Sequence, residues 1–383
     1  MQDSSIKVYK GLEGVYVAES DICLVDGQNG KLYYRGYSIE DLAERSSYEE
    51  VCYLLLHGRL PNKTELESFK DEMREDRDLP KGVLDIIKHL AGRAHPMDIM
   101  RTAVSALPAY DKEAYDNNEG ANIRKSMRII SKAASIVAAI YRFEQGEDYI
   151  EPDYELSHAA NFLYMLKGEK PTDEQSRLMD RELILHAEHS SNASTFSCLV
   201  TASTLADIYA AVTAGIATLK GPLHGGADEA ALKLIIAIGR KENVSSYIQN
   251  MLKNKQKIMG FGHRVYKTYD PRAKIIKEDL LNIEKKANTR IKRLIEVVLE
   301  VERETINNLS GKGIYPNMDL FSGIVYQYLG VPSNLFTPIF AASRTVGWCA
   351  HIIEYMQSSK LIRPLELYKG KRDLKYIDID SRA

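Results

Sequence analysis

Apolar positions along this chain recur mostly at the three- and four-residue spacing of helices that bury one face. Start signals precede several of these runs. Ser38-Ile-Glu-Asp41 and Ser47-Tyr-Glu-Glu50 have the form of capping boxes, and the apolar run after the second stops at Gly58. Pro61 breaks the chain ahead of a charged helix expected over 64–77. Further helices are predicted at 97–110, 120–143, 154–167, 173–186, 194–218, 227–240, 244–254, 272–308, 318–329 and 333–358. Within these, 279–309 is rich in Glu, Lys, Arg, Ile and Leu, the pattern of one long amphipathic helix. Strand-like alternation is confined to Gly14–Arg35, around an Asp-Gly-Gln-Asn-Gly turn. The pattern predicts an almost all-α protein with one small N-terminal β-hairpin, and no internal repeat points to a solenoid.

Composition narrows the function classes. The 383 residues leave room for two or three domains and a sizeable core. Lys and Arg number 51 against 53 Asp and Glu, a net charge of −2, which argues against a general nucleic-acid binder. Cys23, Cys52, Cys198 and Cys349 lie far apart with no C-x-x-C pair, which excludes a disulfide scaffold or zinc ribbon and suits a reducing cytosol. The first residues carry neither a secretory h-region nor an amphipathic Arg/Ser pattern, so a cytoplasmic location is expected. The apolar stretch Cys198–Leu219 is long enough to span a bilayer, but Asp207 and its Ser and Thr residues favour a buried helix.

Chemistry collects around four of the nine histidines. His57, His89, His158 and His351 sit within helical patterns without reactive neighbours, and His95 precedes Pro96 where it can help start a helix. By contrast, His186-Ala-Glu-His189 leads into SSNAST, His224 lies in GPLHGGADEA and His263 in GFGHRVYKTYDPRAK. Glycines beside His224 and His263 let backbone approach a ligand closely. A neutral imidazole at a helix N-terminus can donate to a developing oxyanion without carrying charge. The HAEH spacing is not H-E-x-x-H and no further ligand completes a zinc set, while Gly-Phe-Gly lacks the βαβ context of a dinucleotide fold, so neither metal nor dinucleotide is expected.

A carboxylate and three guanidiniums add to this set. Asp319, in YPNMDLFSG, opens an apolar helix, where the helix dipole alone would favour an acid. Arg344 lies mid-helix in the mostly apolar AASRTVGWCA, a costly place for a charge without a partner anion. Arg272 follows nine residues after His263, and Arg363 falls in the Pro-bounded LIRPLEL. Arginine's planar fork matches carboxylates, so these residues beside histidines point to a di- or tricarboxylate ligand.

Taken in order, RGYSIEDLA, AHPMDIMRTAVSAL, HAEHSSNASTF, GPLHGGADEA, GFGHRVYKTYDPRAK, YPNMDLFSG and ASRTVGWCAHIIEYM resemble the citrate synthase family across nearly the whole chain. The resemblance implies an all-α, two-domain helical fold, with a large dimerisation domain over 1–218 and 322–383 and a small, mobile CoA-binding domain over 219–321. It also implies condensation of acetyl-CoA with oxaloacetate and water to give citrate and CoA, with acetyl-CoA as a substrate and no cofactor. On that resemblance His224 contacts the thioester oxygen, Asp319 takes a proton from the acetyl methyl, and His263 protonates the oxaloacetate ketone. His189, Arg272 and Arg344 hold oxaloacetate, and Arg363 reaches the neighbouring subunit's site in a homodimer whose interface is sought at 94–107 and 197–218. CoA is expected on Lys257, Ile258, Met259, Gly260, Phe261 and Gly262, with Lys267, Lys312 and Asn317 nearby. Family members often carry arginine at the Lys267 position, and lysine supplies the charge without the bidentate fork. Only 34 residues precede RGYSIEDLA, so the NADH inhibition of longer, N-terminally extended members is not expected. The rival activity is 2-methylcitrate synthesis from propionyl-CoA, since one methylene is worth only about 1–3 kcal/mol in an acyl pocket. Between Lys253 and Arg293 there are 13 Lys and Arg against four Asp and Glu, a basic stretch suited to an anionic CoA and a dicarboxylate.

Overall fold

The structure, a computed structural model, describes residues 7–358 and 360–382. Its sheet is antiparallel: β1 (Cys23–Asp26) pairs with β2 (Lys31–Tyr34), Cys23 facing Tyr34 and Asp26 facing Lys31. The intervening turn is closed by the Asp26 carboxylate, which accepts from the Asn29 backbone at 3.0 Å and side chain at 2.7 Å. The predicted hairpin gains a third strand, β3 (Tyr37–Ser38), because Arg35 and Gly36 both take positive φ, 49° and 87°, and fold the chain straight back. Leu32 and Tyr34 face inward and are fully buried.

Sixteen α-helices account for most of the remaining described residues. The first eight are α1 (Ile39–Arg45), α2 (Tyr48–His57), α3 (Lys63–Glu75), α4 (Lys81–Leu90), α5 (Pro96–Ala106), α6 (Glu119–Glu144), α7 (His158–Lys167) and α8 (Asp173–His186). Then follow α9 (Ala193–Ala202), α10 (Ile208–Leu219), α11 (Ala227–Ile238), α12 (Val244–Lys253), α13 (Pro271–Glu284), α14 (Thr289–Leu309), α15 (Asp319–Tyr328) and α16 (Phe336–Gln357). Short polar side chains start many of them: Ser157 caps α7, Asp207 caps α10 and Asn288 caps α14, each accepting from a backbone N–H one turn in. His95 does the same for α5, its Nδ1 accepting from Met97 N–H at 3.2 Å.

These caps explain where the sequence pattern misled. The expected helix over 194–218 is two, because Asp207 opens α10 and Leu205 turns left-handed at φ 63° just before it. The expected helix over 272–308 also breaks, at Lys285–Asn288, where Asn288 restarts it. Residues 107–110 form a 3₁₀ turn rather than the end of α5. Helix α4 was not anticipated, since it follows Pro80 with no side-chain cap to announce it. Ser38 and Ser47 do cap α1 and α2, but neither box is reciprocal: Asp41 Oδ2 accepts from the Ser38 hydroxyl and Glu50 Oε2 from the Ser46 hydroxyl. Reciprocal boxes occur instead at Asn62/Glu65 and Thr172/Gln175. The apolar stretch Cys198–Leu219 is thereby folded back on itself as α9 and α10, and no helix among the described residues is long and apolar enough to cross a membrane.

Helix α16 runs through the middle of the molecule, packed on α6, α9, α10, α2 and α8, and its buried residues extend all round the helix from Phe336 to Ile353. Such a helix has no solvent face to spare for a charge, yet it carries Arg344. Helix α15 packs on α11, α13 and α14, and also reaches α8. The loops at 187–192 and 220–226 and the start of α15 lie within electrostatic reach of the buried arginine of α16, and 259–270 joins them through the His189–His263 contact.

Candidate active site

The 187–192 turn carries His189. Tyr34 of β2 clamps the turn, its hydroxyl donating to the Glu188 carbonyl at 2.8 Å and facing the Glu188 N–H at 3.3 Å. Glu188, fully buried, accepts from His351 Nε2 at 3.0 Å. His351 is thus a core histidine satisfied by a buried carboxylate. Gly347 makes room for the turn, since a Cβ there would lie 2.2 Å from Glu188 Oε2 and 2.4 Å from the Ala187 carbonyl. The two histidines of HAEH face different partners: His186 Nδ1 meets the Glu182 carbonyl at 2.9 Å, whereas His189 Nε2 meets the Tyr266 hydroxyl at 3.3 Å. Burial keeps both rings neutral, His186 titrating at about 3 and His189 well below the usual imidazole range, helped there by Arg272 and His263.

His263 is held by backbone. Its Nδ1 accepts from the N–H groups of Val265 at 3.0 Å and Tyr266 at 3.1 Å, so the ring proton sits on Nε2. The ring lies 5.0 Å from that of His189 and 4.8 Å from that of Tyr266, centroid to centroid. Two left-handed glycines precede it, Gly260 at φ 81° and Gly262 at φ 83°. Gly260 also lies where a Cβ would come within 2.7 Å of Leu320, so the loop rests directly on α15. The Gly262 N–H donates to Tyr315 and the Asn317 N–H to Gly260, at 2.8 and 2.9 Å. Asn317 ties the same pair of loops by its side chain, donating to the Gly262 carbonyl at 2.9 Å and accepting from the Asp319 N–H at 3.1 Å.

His224 stands in the turn between α10 and α11. Thr337 of α16 donates to the Gly225 carbonyl at 2.9 Å and fixes the turn. His224 Nε2 lies 2.9 Å from Ser194 Oγ and 3.3 Å from Ser194 N–H, with Asn192 Oδ1 at 3.2 Å. Trp348 Nε1 donates to that serine oxygen at 3.1 Å. When Nε2 accepts from Ser194, the ring proton is on Nδ1, on the far side from this network. Burial, reinforced by the Arg344 charge, lowers the His224 pKa to about 4, and burial with the Arg272 charge does the same for His263.

Two buried arginines supply the positive charge. Arg272, near the start of α13, is paired with the buried Asp270, Nη2 to Oδ2 at 2.8 Å and Nε to Oδ1 at 3.1 Å, which raises its pKa in spite of burial. Arg344 lies over the Phe340 ring at 4.8 Å and spends its Nε on the His186 carbonyl at 2.6 Å. No hydrogen-bond acceptor among the described residues meets its Nη atoms, and burial lowers its pKa. Asp319, the first residue of α15, is pushed up to about 6 by burial; Arg272 pulls against this and Asp270 adds to it. One or both arginines therefore act electrostatically on His189, His224, His263 and Asp319, which places these four groups around one positive centre. The arrangement offers one carboxylate able to take protons near neutrality, two imidazoles neutral above about pH 5, and a free guanidinium fork for an anion.

A family model described as citrate synthase, C-terminal domain, matches residues 11–365. The chain belongs to the citrate synthase family. It is 43% identical to a citrate synthase of Deinococcus radiodurans over 98% of this chain and 99% of that protein. It also superposes on the crystal structure of citrate synthase from Pyrobaculum aerophilum with a TM-score of 0.94 and 42% identity, covering all of this chain and 97% of that one. A citrate synthase from Thermoplasma acidophilum, solved as a ternary complex with carboxymethyl coenzyme A and oxaloacetate, aligns with a TM-score of 0.93 at 38% identity over 98% of this chain and 100% of that one.

Not every expected site residue of this citrate synthase family member joins the cluster. Arg363 is exposed on an extended tail, beside Ile362, whose N–H donates to Ser203 Oγ at 3.2 Å. Lys257, Lys267 and Lys312 are exposed, with Lys267 Nζ on the Arg264 carbonyl at 3.3 Å. Ile258 turns its side chain into the core, while Met259, Phe261 and Gly262 are partly open. Asn317, expected near CoA, has its side chain committed to Gly262 and Asp319. Sequence reasoning missed Tyr266 and Asp270, although both lie inside the GFGHRVYKTYDPRAK motif, and it missed the Ser194–Trp348 contact behind His224. Only Asn192 in that last network had a local signal, as a helix cap.

Proposed function

We propose that this chain condenses acetyl-CoA with oxaloacetate and water to give citrate and CoA. The observation that carries the assignment is Asp319, a carboxylate raised to about 6 by burial and grouped with two neutral imidazoles and two buried arginines. The likeness to a family member crystallised with carboxymethyl coenzyme A and oxaloacetate supports the substrates. A methyl beside a thioester is a weak carbon acid. Asp319 removes its proton only as His224 Nδ1–H stabilises the enolate oxygen that forms, a donor worth about 3–4 kcal/mol in comparable oxyanion sites. The enol carbon attacks the oxaloacetate ketone carbon, and that oxygen takes the proton from His263 Nε2. Arg344 and Arg272 grip the two carboxylates, beside His189. Water then cleaves the citryl thioester and CoA leaves as its thiol. Neutral imidazoles suit this task, because they donate without giving a full charge to the ground state.

Residues 219–321 act as the small domain and close over oxaloacetate, with the 259–270 loop and the exposed lysines 257, 267 and 312 meeting CoA. The protein works as a homodimer in the cytoplasm, with acetyl-CoA a substrate rather than a resident cofactor. In support, the tail after α16 exposes Leu365 by 87% and Tyr376 by 82%, apolar surface that a partner subunit would cover, and it carries Arg363. The test is oxaloacetate-dependent thiol release, measured with acetyl-CoA and propionyl-CoA in parallel. Acetyl-CoA is expected to be the better substrate. A preference above tenfold for propionyl-CoA would assign the methylcitrate reaction instead, and loss of neither activity in Asp319→Ala would refute the mechanism.

A further inference from the structure

The N-terminal hairpin takes no part in the chemistry above, yet its two ends touch the two histidine loops. At its base the Tyr34 hydroxyl holds Glu188, the residue beside His189. At its tip the Gly27 carbonyl accepts from the Lys267 N–H at 3.0 Å, four residues beyond His263. The tip fits only because it is bare. A Cβ on Gly27 would lie 2.2 Å from the Val265 carbonyl oxygen, and one on Gly30 would lie 2.8 Å from Thr268 Cγ2 and 2.9 Å from the Tyr269 carbonyl oxygen. The Val265 carbonyl shares its peptide with the Tyr266 N–H, one of the two donors to His263 Nδ1, so the tip lies against the peptide that orients the ring.

Gly27 is informative because its own φ lies outside the left-handed region, unlike those of Gly30 at 62° and Gly36 at 87°. The turn would accept alanine at position 27 without backbone strain, and only the approach of the 265–269 segment demands glycine. We propose that the hairpin is a strut that sets the spacing between the His189 and His263 loops, and that Gly27 is a positioning residue for the ketone-activating imidazole. This assignment rests on the role given to His263 above. With 219–321 as the small domain proposed above, this contact runs between the two domains, so domain opening relieves a side chain at Gly27 that closure forces against Val265.

The experiment compares Gly27→Ala with Gly36→Ala, a hairpin glycine at positive φ with nothing within 4 Å of its would-be Cβ. Gly27→Ala is expected to lower kcat/KM for oxaloacetate by about 10²-fold, the usual cost of a displacement near 1 Å at a reacting group. Its ligand-free Tm should stay at the wild-type value while the rise in Tm on adding oxaloacetate shrinks. Gly36→Ala should do the reverse, losing Tm and keeping kcat/KM. Tyr34→Phe, which frees the other end of the strut without adding an atom, should lower the same kcat/KM. A kcat/KM for oxaloacetate within twofold of wild type in both Gly27→Ala and Tyr34→Phe overturns the proposal, as does a loss that merely follows a lowered ligand-free Tm. Absence of oxaloacetate-dependent thiol release in the wild-type enzyme would count against the function itself and is read separately.

Discussion

Asp319→Asn should make this protein more stable while removing its activity, and the gain should depend on pH. Burial raises the Asp319 pKa from the ordinary 3.8 to about 6. Between those values the folded state keeps a proton that the unfolded chain has released. The cost of the charge therefore appears as pH rises through that window and is complete above it. A shift of roughly two units corresponds to about 3 kcal/mol at most. Asp319 is partly exposed, which reduces this, and losing an acid from the first turn of α15 gives back about 0.5 kcal/mol. A net gain of about 1–2 kcal/mol at pH 8 remains, and it should shrink by about 1 kcal/mol at pH 5, where the wild-type carboxyl is largely protonated. Urea titrations at fixed protein concentration, followed through the single, fully buried Trp348, read both values. Thiol release should fall by ~10²–10⁴-fold in the same variant, the range for loss of a positioned general base. A variant no more stable than wild type at pH 8, or a difference that does not change between pH 5 and pH 8, would refute the placement of a destabilised, working carboxylate at this position.

Other consequences of the site are as direct. In steady-state assays, kcat/KM should fall about tenfold per unit below pH 6 as Asp319 protonates, with no second limb between pH 6 and 8 from His224 or His263, which titrate at about 4; a limb near 7 would mean that one of them carries charge. Ser194→Ala removes the hydroxyl against His224 Nε2 and the acceptor for Trp348 Nε1, and should lower kcat by about tenfold, a loss of about 1.4 kcal/mol. Gly347→Ala should cost about 1–3 kcal/mol in urea titrations, because its Cβ collides with Glu188 Oε2 and the Ala187 carbonyl behind His189. If Arg363 serves the neighbouring site, co-expressing His263→Ala with Arg363→Ala should restore about a quarter of wild-type activity, through mixed dimers holding one intact site. No recovery there would put Arg363 in its own subunit's site, and an Arg363→Ala enzyme that is active by itself would put it outside the reaction.

The active-site loops owed more to the sequence than the helix boundaries did. GPLHGG, GFGH and PNMD could be placed because glycine, proline and polar residues fix local backbone, and the same residues lie where His224, His263 and Asp319 are presented. Periodicity found nearly every helix, but it ran through Asp207 and Asn288, where one polar side chain outbid a continuing apolar pattern by capping a new helix. It passed over α4 because nothing but Pro80 marks its start.

What the sequence alone determined was the almost all-helical class, and it nominated a set of reactive groups, both from local residue chemistry. Tertiary structure decided the states of those groups. Arg344 is left with Nη atoms that meet no acceptor among the described residues because α16 is buried on all sides. The His263 proton is on Nε2 because two backbone N–H groups meet Nδ1. The Asp319 carboxyl is raised to about 6 because packing removed its water, with Arg272 pulling against the rise. Glu188 with His351, Tyr266 with His189, and Gly27 against Val265 join residues tens to hundreds of positions apart, and no local pattern encodes such contacts. Desolvation and long-range packing set pKa and tautomer, and both depend on where the whole chain comes to rest.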